Sequence, residues 1–583
     1  MHSPTERANS LDEIARRLER AESLTPESLA ESLAGALSTP LALPEDTPAF
    51  ARRGARWELR VLRKMPGEAG ALHAHEGAYA WCVLHGTARE IVIGRRDRVV
   101  QPGSVVAGED VVHQIEAEGR EPLVILYACA PATAVRDSAP QQVKTRVVIV
   151  GGGFSGAAVA IHILLRAEPD LHVTLVEQGE WLGRGIAYGV EDEVFRLNVP
   201  AAKMSLDPDA PNDFVAWASA EKTPNAFLPR ARYGAYVSDR LARAVRRSRA
   251  SASVVRASAV RVDENAVVLA DGTRLSADVV ILATGLAPRL SPSSLPRDPR
   301  IVEAWDEGAL RSLPTSGDLL VIGAGLTALD VVALLDKRGF SGRLTVLSRR
   351  GLLPRAHLAH AAPPAVIHLG TLPRNLRSLL AWGRRVVEEA VERGEPWQSG
   401  VDAIRPHVSD LWRALPTNDR ARFVRWVRTY WDVLRHRAPI ESLATMQALC
   451  DAGRLEQIAG EVVRCTPESD GLRVSVRERG RTREMRCDAI VRCIGPALEF
   501  SELENPIVRH LVADGRATVD AAGLGVVTDA AGRLESPRTT KQQIFTLGAL
   551  RRASYWETTS VPEISRHAQH IATLVTGRIA AVQ

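Results

Sequence analysis

Much of what would assign this 583-residue chain quickly is missing from it. Its six cysteines (Cys82, Cys129, Cys450, Cys465, Cys487, Cys493) form no CxxC pair, which favours reduced thiols over a disulfide framework or a cysteine zinc site. No apolar run approaches the roughly 18 residues that span a bilayer. The opening MHSPTERANSLDEIARRLER is polar and charged and does not read as a signal peptide. Charge of one sign is also missing. Lys and Arg number 74 against 69 Asp and Glu, the net charge is +5, and the arginines are dispersed, which is weak ground for nucleic acid. No tandem repeat or low-complexity tract is present. The expectation is a cytoplasmic protein whose partners are small molecules, with neither nucleic acid nor membrane; a homodimer stays open.

The length implies several domains. Residues 10 to 36 carry two helix signatures, SLDEIARRLERA after a Ser cap and TPESLAESLAGAL with Pro at the first helical position. From 56 to 130, short Val-, Ile- and Leu-rich runs broken by Gly or Pro predict antiparallel strands of a small barrel. PATAVRDSAPQQVKT reads as a linker. Strand and helix signals then alternate, as a parallel α/β sheet requires. The expected division is 1–132, a 133–145 linker, 146–300, 301–371, a helical insertion over 372–450, and return strands over 451–583.

Two glycine turns carry the clearest chemistry. In RVVIVGGGFSGAAVAIHILLRA, Gly151, Gly153 and Gly156 fill the G-x-G-x-x-G positions, with Ser155 among them. Such a turn lets the backbone approach a pyrophosphate, whose charge sits at the following helix N-terminus. Glu177 ends the next strand, 21 residues after Gly156, where an acid accepts from a ribose diol. The pattern recurs in GDLLVIGAGLTALDVVALLDKRGFSGRLTVLSRRG, with Gly323, Gly325 and Ala328. The same count there reaches Arg349 and Arg350, whose guanidiniums suit a 2′-phosphate. A solvated strand end is the other reading of those arginines. FAD at the first turn and NADPH at the second follow. DVVILATG (278–285) and DAIVRCIG (488–495) share one Asp-strand-Gly spacing, and each would return a strand whose glycine, Gly285 in the first, passes a cofactor.

These residues resemble the two-dinucleotide-binding flavoproteins, including the class B and N-hydroxylating monooxygenases. GEWLGRGIAYG, FRLNVPAAKMSLDP, FLPRARYGAYV, SRRGLLPRAH and LRRASYWETTSVPEI look like a bacterial family of FAD/NAD(P)-binding proteins, over about 146–583. The resemblance implies bound FAD, reduction by NADPH and oxygen chemistry. The family's Gly-Asp, whose Asp binds the ribityl chain, is Gly548-Ala549 here. His357, His360, His407 and His436 read as structural. Arg435 and Arg437, in RHR, could hold an anionic substrate or form a solvated helix end.

GEAGALHAHEGAYAWCVLHG, residues 67–86, raises a second chemistry. His73 and His75, two apart on a strand, point to one face and can share a metal; two satisfied histidines on a sheet is the alternative. The stretch is similar to the first cupin motif, from Gly67 to Gly86, except that Tyr79 and Ala80 stand where a glutamate ligand is usual. His113, in GEDVVHQIE, falls at the second-motif ligand. Three imidazoles with open positions suit Fe(II). Without a carboxylate, the set resembles the cysteine dioxygenase family over about 10–132. That resemblance implies that Arg52 binds a substrate carboxylate and that Tyr127 is the active-site tyrosine. Ile125 replaces the family's histidine before that tyrosine, and Ala80 replaces its crosslinking cysteine. Cupin barrels also serve as metal-free binding or assembly modules.

The expected whole is multidomain: an N-terminal all-β cupin barrel with short helices, then an α/β Rossmann-like flavoprotein with a helical insertion. The function expected is bifunctional, an Fe(II) thiol-dioxygenase-like cupin fused to an FAD- and NADPH-dependent monooxygenase that uses O2 on a small amine or thiol. Two rivals remain: an NADPH-flavin reductase that feeds the cupin, and a flavoenzyme whose cupin only binds or dimerises.

Overall fold

The computed structural model describes residues 4–37, 49–130, 143–285, 294–368, 373–495, 505–538 and 542–581. Most of the predicted linker, 131–142, lies outside the described residues.

Helices α1 (Pro4–Arg20) and α2 (Pro26–Leu37) precede nine antiparallel strands. These are β1 (Ala49–Arg53), β2 (Glu58–Lys64), β3 (His73–Ala74), β4 (Ala78–His85), β5 (Thr87–Val92), β6 (Arg98–Val100), β7 (Val105–Glu109), β8 (Val112–Glu118) and β9 (Leu123–Ala130). One sheet runs β1-β2-β9-β4-β7 and the other β3-β8-β5-β6. Trp81, Val83 and Tyr127 of the first pack with Ala88, Val92 and Ile115 of the second, so the sheets share one core. The other face of the first sheet, through Leu59, Val61, Cys82 and Leu126, is covered by Ile14, Leu18, Leu29 and Leu33 of the two helices. Alternation along β2 therefore sends Leu59 and Val61 to the helices and Glu58, Arg60 and Leu62 between the sheets.

The next sheet is parallel, in the order β12-β11-β10-β16-β24. Its strands are β10 (Thr145–Val150), β11 (Leu171–Val176), β12 (Ser251–Val255), β16 (Val279–Leu282) and β24 (Gln543–Thr546); the meander β13 (Ala259–Val262), β14 (Ala266–Leu269) and β15 (Arg274–Ser276) lies between. Helix α3 (Phe154–Leu164) follows β10, is buried along nearly all its length, and packs on the last helix, Val561–Ala581. A second sheet runs β17-β23-β18-β19-β20-β21-β22, built from β17 (Ile301–Glu303), β18 (Asp318–Ile322), β19 (Arg343–Ser348), β20 (Leu455–Glu468), β21 (Gly471–Glu478), β22 (Arg481–Cys487) and β23 (Ala489–Arg492). The residues after 451 thus serve both sheets: those through 492 close the second, and the rest return to the first. Between β19 and β20 the chain is mainly helical, from Leu376 to Asp451. Among the described residues no helix is long and apolar enough to cross a membrane.

The N-terminal sheets are docked on the first parallel sheet. Leu72 N–H donates to Ala252 O (2.7 Å), and the Gln114 amide both donates to Val254 O (2.7 Å) and accepts from Val254 N–H (2.8 Å). Gln114 thereby satisfies the exposed ladder groups of edge strand β12. Arg256 grips Asp97 through two bonds (2.6 and 2.7 Å), both side chains nearly buried. Leu72, Ile91, Ile93 and Val112 join the core of the parallel sheet.

Candidate functional sites

The two glycine turns are built alike. Gly151 and Gly323 both hold φ above +100°, where L side chains are strained, and a Cβ on either would strike a carbonyl of the neighbouring strand end, Ala283 or Cys493. Gly151 N–H donates to Val176 O and Gly323 N–H to Leu347 O, both at 2.8 Å, which pins each turn to the end of the next strand. The repeated aspartates play one part as well. Asp278 accepts from Arg146 N–H (2.8 Å) and Asp488 from Asp318 N–H (2.7 Å), each tying the returning strand to the start of the first.

At the first turn Gly156 lies so close to Gly151 O that no Cβ fits. Glu177 directs one carboxylate oxygen to Gly152 N–H and the other to Gly179 N–H, both at 2.7 Å. Gly285 follows β16 in a left-handed conformation, and Gly548 stands beside Ser155. Buried polar atoms without partners gather where the last helix begins: Thr558 Oγ1, Ser560 Oγ and Ser565 Oγ. Orphaned hydroxyls at a helix N-terminus, beside a glycine cradle, fit an anionic, hydrogen-bonding cofactor such as FAD. Ala549 places no carboxylate there.

At the second turn the bonding pattern makes Ser348, not Arg349, the counterpart of Glu177, because one residue fewer separates turn from strand end. Arg349 comes next and is exposed; Arg350 is half-buried over the Tyr430 ring, 5.1 Å from its centroid. Both remain at the strand end beside the turn.

The N-terminal sheets hold the third site. His73 and His113 are direct partners in the β3–β8 ladder, and with His75 they bring one ring nitrogen each within 4.8 Å of one another. His75 Nε2 and His113 Nε2 are 3.1 Å apart. Two nitrogens at right angles, each about 2.1 Å from one ion, would stand about 3 Å apart. His73 Nδ1–H donates to Ala71 O (3.1 Å) and His113 Nδ1–H to Glu90 (2.6 Å), leaving each Nε2 lone pair free. Burial pushes His73 down to about 3 and His75 down to about 2, so both are neutral, as ligands must be. The Tyr127 hydroxyl lies against the edge of the His75 ring, 2.8 Å from Nδ1 and 2.7 Å from Nε2, and burial raises its pKa well above the usual tyrosine value. Where a carboxylate ligand is usual, the Tyr79 ring stacks on His75 at 4.9 Å.

Arg52 is not brought to this site. It pairs in register with Leu59, on the face beneath the helices, and its guanidinium meets Asp12. The arginine between the sheets is Arg60, the ladder partner of Tyr127, paired with buried Glu58 at 2.7 Å. Glu90 is the second residue that sequence reasoning missed. It is fully buried and takes bonds from His113, Arg98 and Trp81. Burial raises its pKa, but the His113 and Arg98 bonds outweigh that and hold the carboxylate below the ordinary range. A glutamate amid the apolar run of AREIVIG was the available signal.

Two Rossmann-like units, each opening on a glycine turn of the dinucleotide-binding form, are what this fold defines. Residues 148–287 match the protein family described as FAD-NAD(P)-binding. Among solved structures, the reduced ornithine hydroxylase of Pseudomonas aeruginosa is similar with a TM-score of 0.52 at 15% identity, over 75% of this chain and 99% of its own. The ornithine N-hydroxylase of Kutzneria sp. 744 gives 0.52 at 15%, over 74% and 99%. The FAD-bound cadaverine monooxygenase of the desferrioxamine pathway of Erwinia amylovora gives 0.54 at 14%, over 74% and 94%. At such identities the likeness is one of fold. No curated protein matches the chain.

Proposed function

We propose that the chain is an FAD- and NADPH-dependent monooxygenase acting on a small amine or thiol metabolite, and that its N-terminal sheets are a cupin-type barrel holding Fe(II) on His73, His75 and His113. The observation carrying the flavin half is the pair of glycine turns with the same backbone conformation and bonds, within a fold similar to those of two ornithine hydroxylases and a cadaverine monooxygenase. Bound FAD supplies two-electron reduction by NADPH and activation of O2, so that one oxygen atom enters the substrate and the other leaves as water. The chain supplies binding and orientation. Gly151, Gly153 and Gly156 admit the pyrophosphate, Glu177 holds the ribose, and Arg349 and Arg350 read the 2′-phosphate.

In the barrel, iron would supply open coordination positions for O2 and a substrate. Glu90 fixes the tautomer of His113, Tyr127 keeps its proton for donation into the site, and the carboxylate-binding role first given to Arg52 passes to Arg60. The test is NADPH oxidation by the FAD-loaded protein with a panel of amines and thiols, with product analysed by mass. Tight coupling to a product 16 mass units heavier supports the reading; NADPH oxidation that yields only peroxide with every substrate class defeats it.

One observation favours a second reading, in which the barrel is a docking module. The ligand histidines adjoin the residues that clamp β12, Leu72 before His73 and Gln114 after His113. On that reading His73→Ala leaves flavin turnover intact.

A further inference from the structure

Between the first sheet's 196–203 loop and the helical region lies a cavity of about 390 Å³. Its wall carries Arg196, Lys203, Arg405, Arg435 and Arg437, against the carboxylates of Asp402 and Glu441. Glu557 stands behind, 3.2 Å from Arg435. His357 adds no charge. Burial, the largest influence, pushes it down to about 4, and its Nε2–H donates to Asn198 O at 2.9 Å. Five cations and two acids thus line the recess; Arg435 and Arg437 form its buried inner wall, and Arg196, Lys203 and Glu441 stand at its exposed rim.

Pairing within the protein leaves much of this charge unsatisfied. Arg435 and Arg437 are each more than nine-tenths buried and bond Glu557 and Asp402 through one terminal nitrogen, yet the Nε of both has no partner. The side chains of Lys203 and Arg405 make no hydrogen bond or ion pair with any described residue. Burial depresses the Lys203 ammonium; Asp402 partly restores it, and the Arg405, Arg437 and Arg435 guanidiniums depress it further. Burial likewise lowers Arg405, and Arg435 adds to the effect. The buried Nε–H groups of Arg435 and Arg437 are costly unless a ligand completes them, and Lys203, exposed, and Arg405, half-buried, stand beside them with side chains free to meet the same ligand.

We infer that this cavity seats a substrate carrying two acidic groups, carboxylate or phosphate, beside the amine or thiol that is oxygenated. The inference rests on the monooxygenase reading for the word substrate; the binding itself does not. Forked guanidiniums and a point-charge lysine are the donor set for such an anion. A diamine such as cadaverine would meet like charge here, which separates this chain from a diamine hydroxylase of the same fold.

Calorimetric titration of the FAD-loaded full chain with inorganic phosphate, succinate and 1,4-diaminobutane at matched ionic strength tests the inference. Saturable one-to-one binding of phosphate or succinate, none of the diamine, and about tenfold weakening in both Arg405→Gln and Lys203→Met are expected. Phosphate alone would mark a phosphorylated substrate, and succinate alone a dicarboxylate. Binding of the diamine alone, anion affinity unchanged in both folded variants, or stoichiometric competition by NADP⁺ would each overturn it. Anion binding with NADPH oxidation that never yields oxygenated product would leave this inference standing and remove the monooxygenase reading instead.

Discussion

Glu90→Gln is the sharpest perturbation of the histidine site. The side chain keeps its shape but loses the charge that accepts from His113 Nδ1–H at 2.6 Å and pairs with Arg98. A hydrogen bond to a buried charged group is worth about 1.5–3 kcal/mol, and removing a partner that orients a metal-bound imidazole lowers metal affinity by about 10–100-fold. The two figures agree, since a tenfold change is about 1.4 kcal/mol. Glu90 lies between the N-terminal sheets, apart from both glycine turns, so flavin content should not change. The assay is anaerobic competition for Fe(II) between the protein and a chromogenic chelator, with thermal unfolding as the check on folding. A folded variant that keeps wild-type iron affinity would refute the assignment of Glu90 as the partner of a metal-bound His113.

Three further outcomes are expected. Gly156→Ala forces a Cβ onto Gly151 O, so the purified protein should lose most of its FAD absorbance while keeping iron. Arg349→Ala should raise KM for NADPH about 10–100-fold and leave KM for NADH unchanged, the loss of a charge-assisted phosphate contact. Asp330, paired with Arg230 at 3.2 Å, is held up at about 6, burial outweighing the guanidinium. A carboxyl whose folded pKa exceeds its unfolded 3.8 stabilises fully below about pH 4 and loses that contribution as pH rises through 6, on the order of 2–3 kcal/mol. Asp330→Asn should therefore flatten that part of the pH dependence of thermal unfolding.

Periodicity made the two N-terminal helices and the strands around 58–64, 78–85, 87–92, 105–109 and 123–130 legible, because each buries a face at regular spacing; Pro26 opens the second helix as expected, whereas the first begins at Pro4, so Ser10 lies inside it and does not cap it. The two-residue strand β3 was not, since His73–Ala74 is too short to show a period. Its pairing is decided by the partner strand and the docked sheet. Arg52 was misplaced for a related reason. An alternating strand does not declare which face is inner, and in β2 Leu59 and Val61 face the helices, which leaves Arg60, with Leu62, between the sheets. Both glycine turns were readable because their geometry admits almost no other residue. The offset that makes Ser348 the match for Glu177 was not, because a one-residue difference in the intervening helix and loop leaves no local mark. The Arg435 and Arg437 pair showed in the sequence as charge alone. Only the fold sets it against Lys203 and Arg405.

The central claim is that one chain carries two redox centres, and its most direct measurement is FAD and iron content per chain. Both would be measured in protein purified without oxygen and in His73→Ala prepared identically. The account predicts close to one FAD and one iron per wild-type chain, with iron lost and FAD retained in the variant. Iron absent from the wild type even after Fe(II) addition, or equal in both proteins, would contradict it.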